Sequence, residues 1–293
     1  MSGDDLEKKV GEEFSKEDLK VLRKLKKQGM SIHDIEYTAK AIKKSPSSKS
    51  HDYRIGRSHV KYLLFGDTHM GNKNYDSDLM THAAKQARKE SVDFAIHTGD
   101  IMDGWYQNRP QSLFEQDAIG LDQQFQKTVK ELGKLGDIPL YFITGNHEFN
   151  TFMRGAGIEV GPYLEKELNS RGMKTVFLGN AEGDIVLRSG AVLKTMHPDG
   201  GSSYAISYKS QKLVESLESG KKPNVLHIGH FHKAEYIFYR NIHVFQTGTL
   251  MGQTKFMRGK QLAAHKGFWI VDLYTRKGGQ VDKIVPTFYP SYE

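Results

Sequence analysis

The chain has 293 residues, 38% of them hydrophobic, enough for one sizeable α/β core with a small appendage. It contains no cysteine, which excludes disulfides and thiolate metal sites, leaves His, Asp, Glu or Asn to hold any metal, and suits a reducing cytoplasmic setting. No apolar run could span a membrane, the acidic start MSGDDLEKKVGEEF is unlike a secretory signal, and the net charge of +7 suits either an anionic partner or a solvated, solubilising arm.

Residues 1–13 read as a disordered acidic tail. From Ser15 a capped helical pattern carries Leu19, Leu22 and Leu25. Gly29-Met30 interrupts it, and Ser31 caps a second helix with Ile32, Ile35, Ala39 and Ile42 on one side. Two helices around a Gly turn look like a helix-turn-helix. The basic excess lies here: residues 14–57 hold 12 Lys/Arg and 5 Asp/Glu, a balance of +7. Asp34 and Glu36 on the second helix are a poor match to phosphates, so a packing or oligomerisation element competes with DNA reading. The linker KKSPSSKS (43–50) closes this part, and residues 58–293 form the expected catalytic domain.

Strands and helices then alternate. Apolar runs at 60–65, 93–98, 140–144, 191–196 and 224–228 predict strands, and 78–90, 120–135, 160–171 and 204–219 predict helices. Three further runs, VFQTGTL, FWIVDL and KIVPTFY, read as closing strands. Each of the first five strands stops at an Asp, Asn or His: Asp67 with His69, Asp100, Asn146 with His147 and Glu148, His197, and His230 with His232. Functional groups collect at the carboxyl ends of strands in α/β sheets, and these residue types suit borderline divalent metals. The i, i+2 spacing of Asp67/His69 and His230/His232 predicts an extended strand end. The glycines before Asp67, Asp100, Asn146 and His230 allow sharp turns and close backbone approach.

The ordered blocks Asp67-x-His69, Gly99-Asp100, Gly145-Asn146-His147-Glu148, His197 and Gly229-His230-Phe231-His232 resemble the signature of the calcineurin-like metallophosphoesterases. The resemblance implies a four-layer αββα sandwich and two divalent metal ions. Mn is the expected metal, and Fe, Zn, Co or Ni would also suit. It implies one metal on Asp67, His69 and His232, a second on Asn146, His197 and His230, and Asp100 between them. It also implies that His147 contacts the scissile phosphate and protonates or stabilises the leaving oxygen, that metal-activated water attacks phosphorus, and that no covalent enzyme intermediate forms; Asp103 could orient His147 or be a plain turn carboxylate. For Glu148 the reading is no more than fixing the loop.

Asp103-Gly104-Trp105 and Thr144 stand where the Ser/Thr phosphatase branch carries arginines, whereas Gly66-Asp67-Thr68-His69-Met70-Gly71 resembles the Mre11/SbcD nuclease branch. Some members of that branch have His where this chain has Asp103. Trp105, Tyr106, Arg109, Phe114, Phe149, Phe152 and Arg154 could stack bases or hold a phosphate, or could be ordinary loop anchors. Ser202 and Tyr204, after Gly200-Gly201, offer an anion site at a helix start or a plain cap. The expectation is a phosphodiesterase or exonuclease-type nuclease acting on DNA, with nucleic acid as substrate, no membrane partner and homo-oligomerisation left open. A small-molecule phosphodiesterase or phosphomonoesterase is the alternative, and a non-catalytic DNA-binding protein the third reading.

Overall fold

A computed structural model describes residues 50–53, 58–105, 113–218 and 222–292. The expected N-terminal tail, helical hairpin and most of the linker lie outside the described residues.

Strand β2 (His59–Phe65) shows why the central strands read as continuous apolar runs. Val60, Tyr62 and Leu64 point into one cluster while Leu63 and Phe65 point into another, so both faces are covered. The same division holds for β3 (Phe94–His97) and β4 (Leu140–Thr144). One six-stranded sheet runs β12-β11-β2-β3-β4-β5, where β5 is Thr175–Asn180, β11 is Gly267–Thr275 and β12 is Val281–Pro290. Strands β2 to β5 are parallel, and β11 and β12 extend the sheet antiparallel.

The second sheet runs β1-β6-β7-β8-β10-β9. Its strands are β1 (Ser50–Tyr53), β6 (Glu182–Leu187), β7 (Val192–Met196), β8 (Val225–Ile228), β9 (Ala234–Tyr239) and β10 (Ile242–Thr247). The cluster holding Tyr62, Phe94, Tyr141, Leu193, Val225 and Phe245 fills the space between the sheets.

Helices cover both outer faces. Helix α1 (Ser77–Lys89) buries Leu79, Met80, Ala83, Ala84 and Ala87, a helical spacing, against the first sheet. Asp76 caps it by accepting from the Leu79 N–H at 2.8 Å. Helix α2 (Gly120–Leu132), followed by a 3-10 turn, contributes Val129 and Leu132 to the same cluster. A short helix α3 (Asn146–Glu148) leads into a π-helical turn, Phe149–Met153, and helix α4 (Val160–Ser170) adds Leu164 and Leu168. Helix α5 (Tyr208–Ser216) places Val214 on the outer face of the second sheet with Leu226, Ile228 and Val244. The layers are therefore helix, sheet, sheet, helix, as expected. Among the described residues no helix is long and apolar enough to cross a membrane.

Two differences from the sequence reading matter. Strands β1, β5, β6 and β9 went unpredicted: β6 carries Glu182 and Asp184 and is held between β1 and β7, and β9, in which Glu235 is the buried residue, pairs with β10. The fourth predicted helix starts at Tyr208 rather than residue 204. Gly200 to Tyr204 is irregular chain well before the helix, so Ser202 and Tyr204 do not form an anion site at a helix N-terminus.

Candidate metal centre and active site

The parallel strands β2, β3 and β4 of one sheet and β7 and β8 of the other deliver their carboxyl ends to one place. There the chain leaves extended geometry. Asp67 and His69 have φ of 48°, Asp100 51°, His230 78° and His232 54°, all in the left-handed region. The i, i+2 pairs are thus not extended strand ends. Such conformations cost on the order of 1–3 kcal/mol each and persist only where the surroundings over-determine them. Here the Asp67 N–H donates to Gly99 O at 3.1 Å, the His69 N–H to Asp100 O at 3.0 Å, and the Thr249 hydroxyl to Asp67 O at 2.7 Å. Close approach explains two of the glycines. A Cβ on Gly145 would lie 2.2 Å from Asp100 Oδ1, and one on Gly229 would lie 2.5 Å from Thr98 O.

The candidate ligands converge. Asp100 Oδ2 lies 3.1 Å from His197 Nε2 and 3.8 Å from both His69 Nε2 and His147 Nε2. His69 Nε2 and His232 Nε2 are 3.0 Å apart, and His232 Nε2 is 3.5 Å from Asp67 Oδ1. Asn146 Oδ1 lies 3.1 Å from His197 Nε2 and 2.8 Å from His230 Nδ1. Three sets can each hold a cation: Asp67, His69 and His232; His69, Asp100 and His147; Asp100, His197 and His230. His69 joins the first two sets, and Asp100 joins the last two.

The far edges of the rings are anchored by main-chain carbonyls, which fixes the edge presented to the centre. His197 Nδ1 lies 2.8 Å from Thr98 O, and His230 Nε2 lies 2.6 Å from Gly200 O. Neither carbonyl leaves a trace in side-chain identity, so sequence reasoning missed both. The Asp67 carboxylate also accepts from the His230 N–H at 2.9 Å.

His147 Nδ1 is 2.8 Å from the main-chain carbonyl of Asp103 and 3.7 Å from its Oδ1. The Asp103 carboxylate sits nearer to His69 Nδ1, at 3.3 Å, and accepts from Asn72 at 3.2 Å and Gln116 at 3.3 Å. The expected Asp103–His147 pairing therefore runs through backbone more closely than through the carboxylate. Glu148 joins two loops: its carboxylate accepts from the Met102 N–H at 2.6 Å and the Gly145 N–H at 2.8 Å.

Charge tests whether a metal fits. Asp67, Asp100, Asp103 and Glu148 are all buried, and the side chains around them are imidazoles and amides rather than Lys or Arg. Buried carboxylates need a counter-charge, and divalent cations supply it. Burial pushes Asp67 up to about 7, eased by His197 and reinforced by Asp100. Burial likewise raises Glu148 to about 7, with the Asp100 charge adding. Burial opposes ionisation of Asp100, but His147 and His197 outweigh it and hold the group well below the usual range. His197 is disfavoured by burial yet raised to about 10 by Asp100, so it holds a proton that a cation would displace. Burial, helped by nearby imidazoles, lowers His230 to about 4 and His232 well below its ordinary value, leaving neutral rings with lone pairs to donate. The residues fit a divalent metal cofactor.

Trp105 and Phe149 are about half exposed, at 44% and 47%, Tyr204 is fully exposed and Arg154 is exposed. Ser202 is half-buried and Phe114 is exposed on a 3-10 turn. Phe152 is a core residue packed with Met102 and Val160 and cannot stack on a base. Tyr106 and Arg109 lie outside the described residues.

Residues 60–241 match the calcineurin-like phosphoesterase family model. The chain is 19% identical over 238 residues to the DNA polymerase II small subunit of Methanothermobacter thermautotrophicus, covering 67% of this chain and 48% of that one. It thus spans about half the length of that curated relative. Among solved structures it is similar to an archaeal phosphodiesterase, with 15% identity, TM-score 0.43, and coverage of 78% of this chain and 100% of that one. It is also similar to Yfce, a phosphoesterase from E. coli, with 13% identity, TM-score 0.45, and coverage of 77% and 98%. The match to the family model spans more than half of the chain, and this protein belongs to the calcineurin-like phosphoesterases.

Proposed function

We propose that this protein is a dinuclear metal-dependent phosphodiesterase that cleaves DNA. The observation that carries the chemistry is the meeting of Asp100 and Asn146 from one sheet with His197 and His230 from the other. Asp67, His69 and His232 would hold one cation, Asn146, His197 and His230 the other, and Asp100 would lie between them. Bound divalent ions, which we take to be Mn²⁺, supply an activated water and neutralise phosphoryl charge. His147 would protonate the leaving oxygen through Nε2, with its Nδ1 fixed by the Asp103 carbonyl at 2.8 Å. Exposed rings of Trp105, Phe149 and Tyr204 would offer stacking faces to unpaired bases.

A DNA substrate is supported by those rings, by the opening Gly66-to-Gly71 motif, and by the resemblance to a DNA polymerase small subunit. The covering of the site favours a second reading. Side chains of His69 and His147 expose only 3% and 12%, which suits a narrow small-molecule phosphoester. Incubation with Mn²⁺ and labelled single-stranded or branched DNA, beside bis(p-nitrophenyl) phosphate and p-nitrophenyl phosphate, separates the two. Brisk turnover of a small ester with every polynucleotide left intact would overturn the DNA reading.

A further inference from the structure

Segment 200–206 lies against the candidate centre and is tied down at three carbonyls. His230 Nε2 meets Gly200 O at 2.6 Å, the Lys233 ammonium donates to Ser203 O, and Gln246 donates to Ile206 O at 2.8 Å. Gln246 is itself held by the buried Glu235 carboxylate at 2.7 Å. Lys233 is thereby occupied, and Lys266, further along the chain, is paired with Asp76 at 2.7 Å.

Lys209 is different. It lies in the first turn of α5, half-buried, with its ammonium 5.7 Å from the centre of the Phe231 ring. Phe231 is buried between His230 and His232 in sequence and stacks edge-on against the His230 ring at 5.2 Å. A Cβ placed on Gly200 would lie 3.8 Å from Lys209 Nζ. Gly200 thus lies between the His230 ring, which its carbonyl meets, and the Lys209 ammonium. Among the described residues Lys209 has no carboxylate partner and no carbonyl acceptor. The aromatic face fixes the direction of the charge without satisfying its three donors.

We propose that Lys209 holds a second phosphate of a nucleic-acid strand, adjoining the one to be cleaved, and so makes the site favour a strand over a diester with a single phosphate. This rests on the DNA reading above. A phosphate accepts well from an ammonium, and the lysine stands beside the centre rather than in it, as a contact to a neighbouring phosphate requires.

The test measures fluorescence anisotropy of a short labelled oligothymidylate with Ca²⁺ in place of Mn²⁺, for wild type, Lys209→Ala and Lys209→Arg, across a salt series. Lys209→Ala should weaken binding about tenfold, and the slope of log affinity against log salt should fall by roughly 0.7, the single-strand value for one lost phosphate contact. Lys209→Arg should restore most of the affinity. In Mn²⁺, the preference of Lys209→Ala for the strand over bis(p-nitrophenyl) phosphate should drop by a similar factor. Unchanged affinity and slope, no strand binding by wild type, or equal losses on strand and small diester would each overturn the role of Lys209. A strand bound through Lys209 but left uncut in Mn²⁺ overturns the DNA-cleavage reading and leaves the phosphate contact standing. A strand cut normally, with binding indifferent to Lys209, does the reverse.

Discussion

Asp100 Oδ2 and His197 Nε2 meet at 3.1 Å although their strands, β3 and β7, belong to different sheets. The pair marks where the two halves of the sandwich share one charge centre. Asp100→Asn keeps the shape and removes the charge. Calorimetric titration with Mn²⁺ should show affinity falling by more than the roughly 10–100-fold typical of changes to outer partners. Turnover of bis(p-nitrophenyl) phosphate should be lost with it. Unaltered Mn²⁺ affinity would remove Asp100 from the centre.

Glu148 lies one step back from the candidate ligands Asp100 and Asn146. Each of its oxygens accepts one main-chain N–H, from Met102 and from Gly145. An amide has one oxygen, so Glu148→Gln must set an NH₂ group against an N–H. The loops bearing Asp100 and Asn146 should shift, and the Mn²⁺ concentration for half-maximal activity should rise by about 10–100-fold. If the metal dependence does not move, Glu148 is only a packing residue.

His147 sits beside Asp100 and His69, so the part in proton transfer proposed for it must be separated from metal holding. His147→Ala should lower turnover by about 10²–10⁴-fold for a poor leaving group, the usual span for a lost general acid. The loss should be smaller for nitrophenolate, which departs without a proton. Mn²⁺ affinity measured alongside should stay close to wild type; a collapse in affinity would reassign His147 as a ligand.

The cap of α1 gives a prediction about stability. Asp76 accepts from the Leu79 N–H at 2.8 Å and pairs with Lys266 at 2.7 Å. Burial opposes its charge, but these partners outweigh it and hold its pKa below the ordinary value. A carboxylate lowered in the fold stabilises above its unfolded pKa, and the benefit disappears as pH falls through the folded one. Asp76→Ala should therefore cost about 1 kcal/mol at neutral pH, as for a lost N-cap. Denaturant melts at falling pH should bring variant and wild type together. A constant gap at acid pH would show that the charge is not involved.

Much of this was legible before any coordinates. Strands buried on both faces, such as Leu140–Thr144, stand out as apolar runs; Asp67, Asp100, Asn146 and His230 each follow one after a glycine, and His197 follows the alternating strand Val192–Met196. Strands that carry polar residues were not legible. Glu182–Leu187 carries a Glu and an Asp and becomes a strand through its pairing with Val192–Met196. Nor was the conformation of the ligand loops: an i, i+2 spacing resembles a strand in one dimension, yet Asp67 and His69 turn left-handed. Hydrogen bonds between loops distant in sequence hold them there, and those exist only once the sheets are assembled.

The order of residues alone determined the alternation of strands with helices and the set of groups able to bind metal, because hydrophobic period and donor chemistry are local properties. Only the tertiary structure decided which edge of each imidazole faces the centre and which lysine is left unpaired beside it. Those depend on the Thr98 and Gly200 carbonyls and on Phe231, whose positions are set by packing between elements distant in the chain.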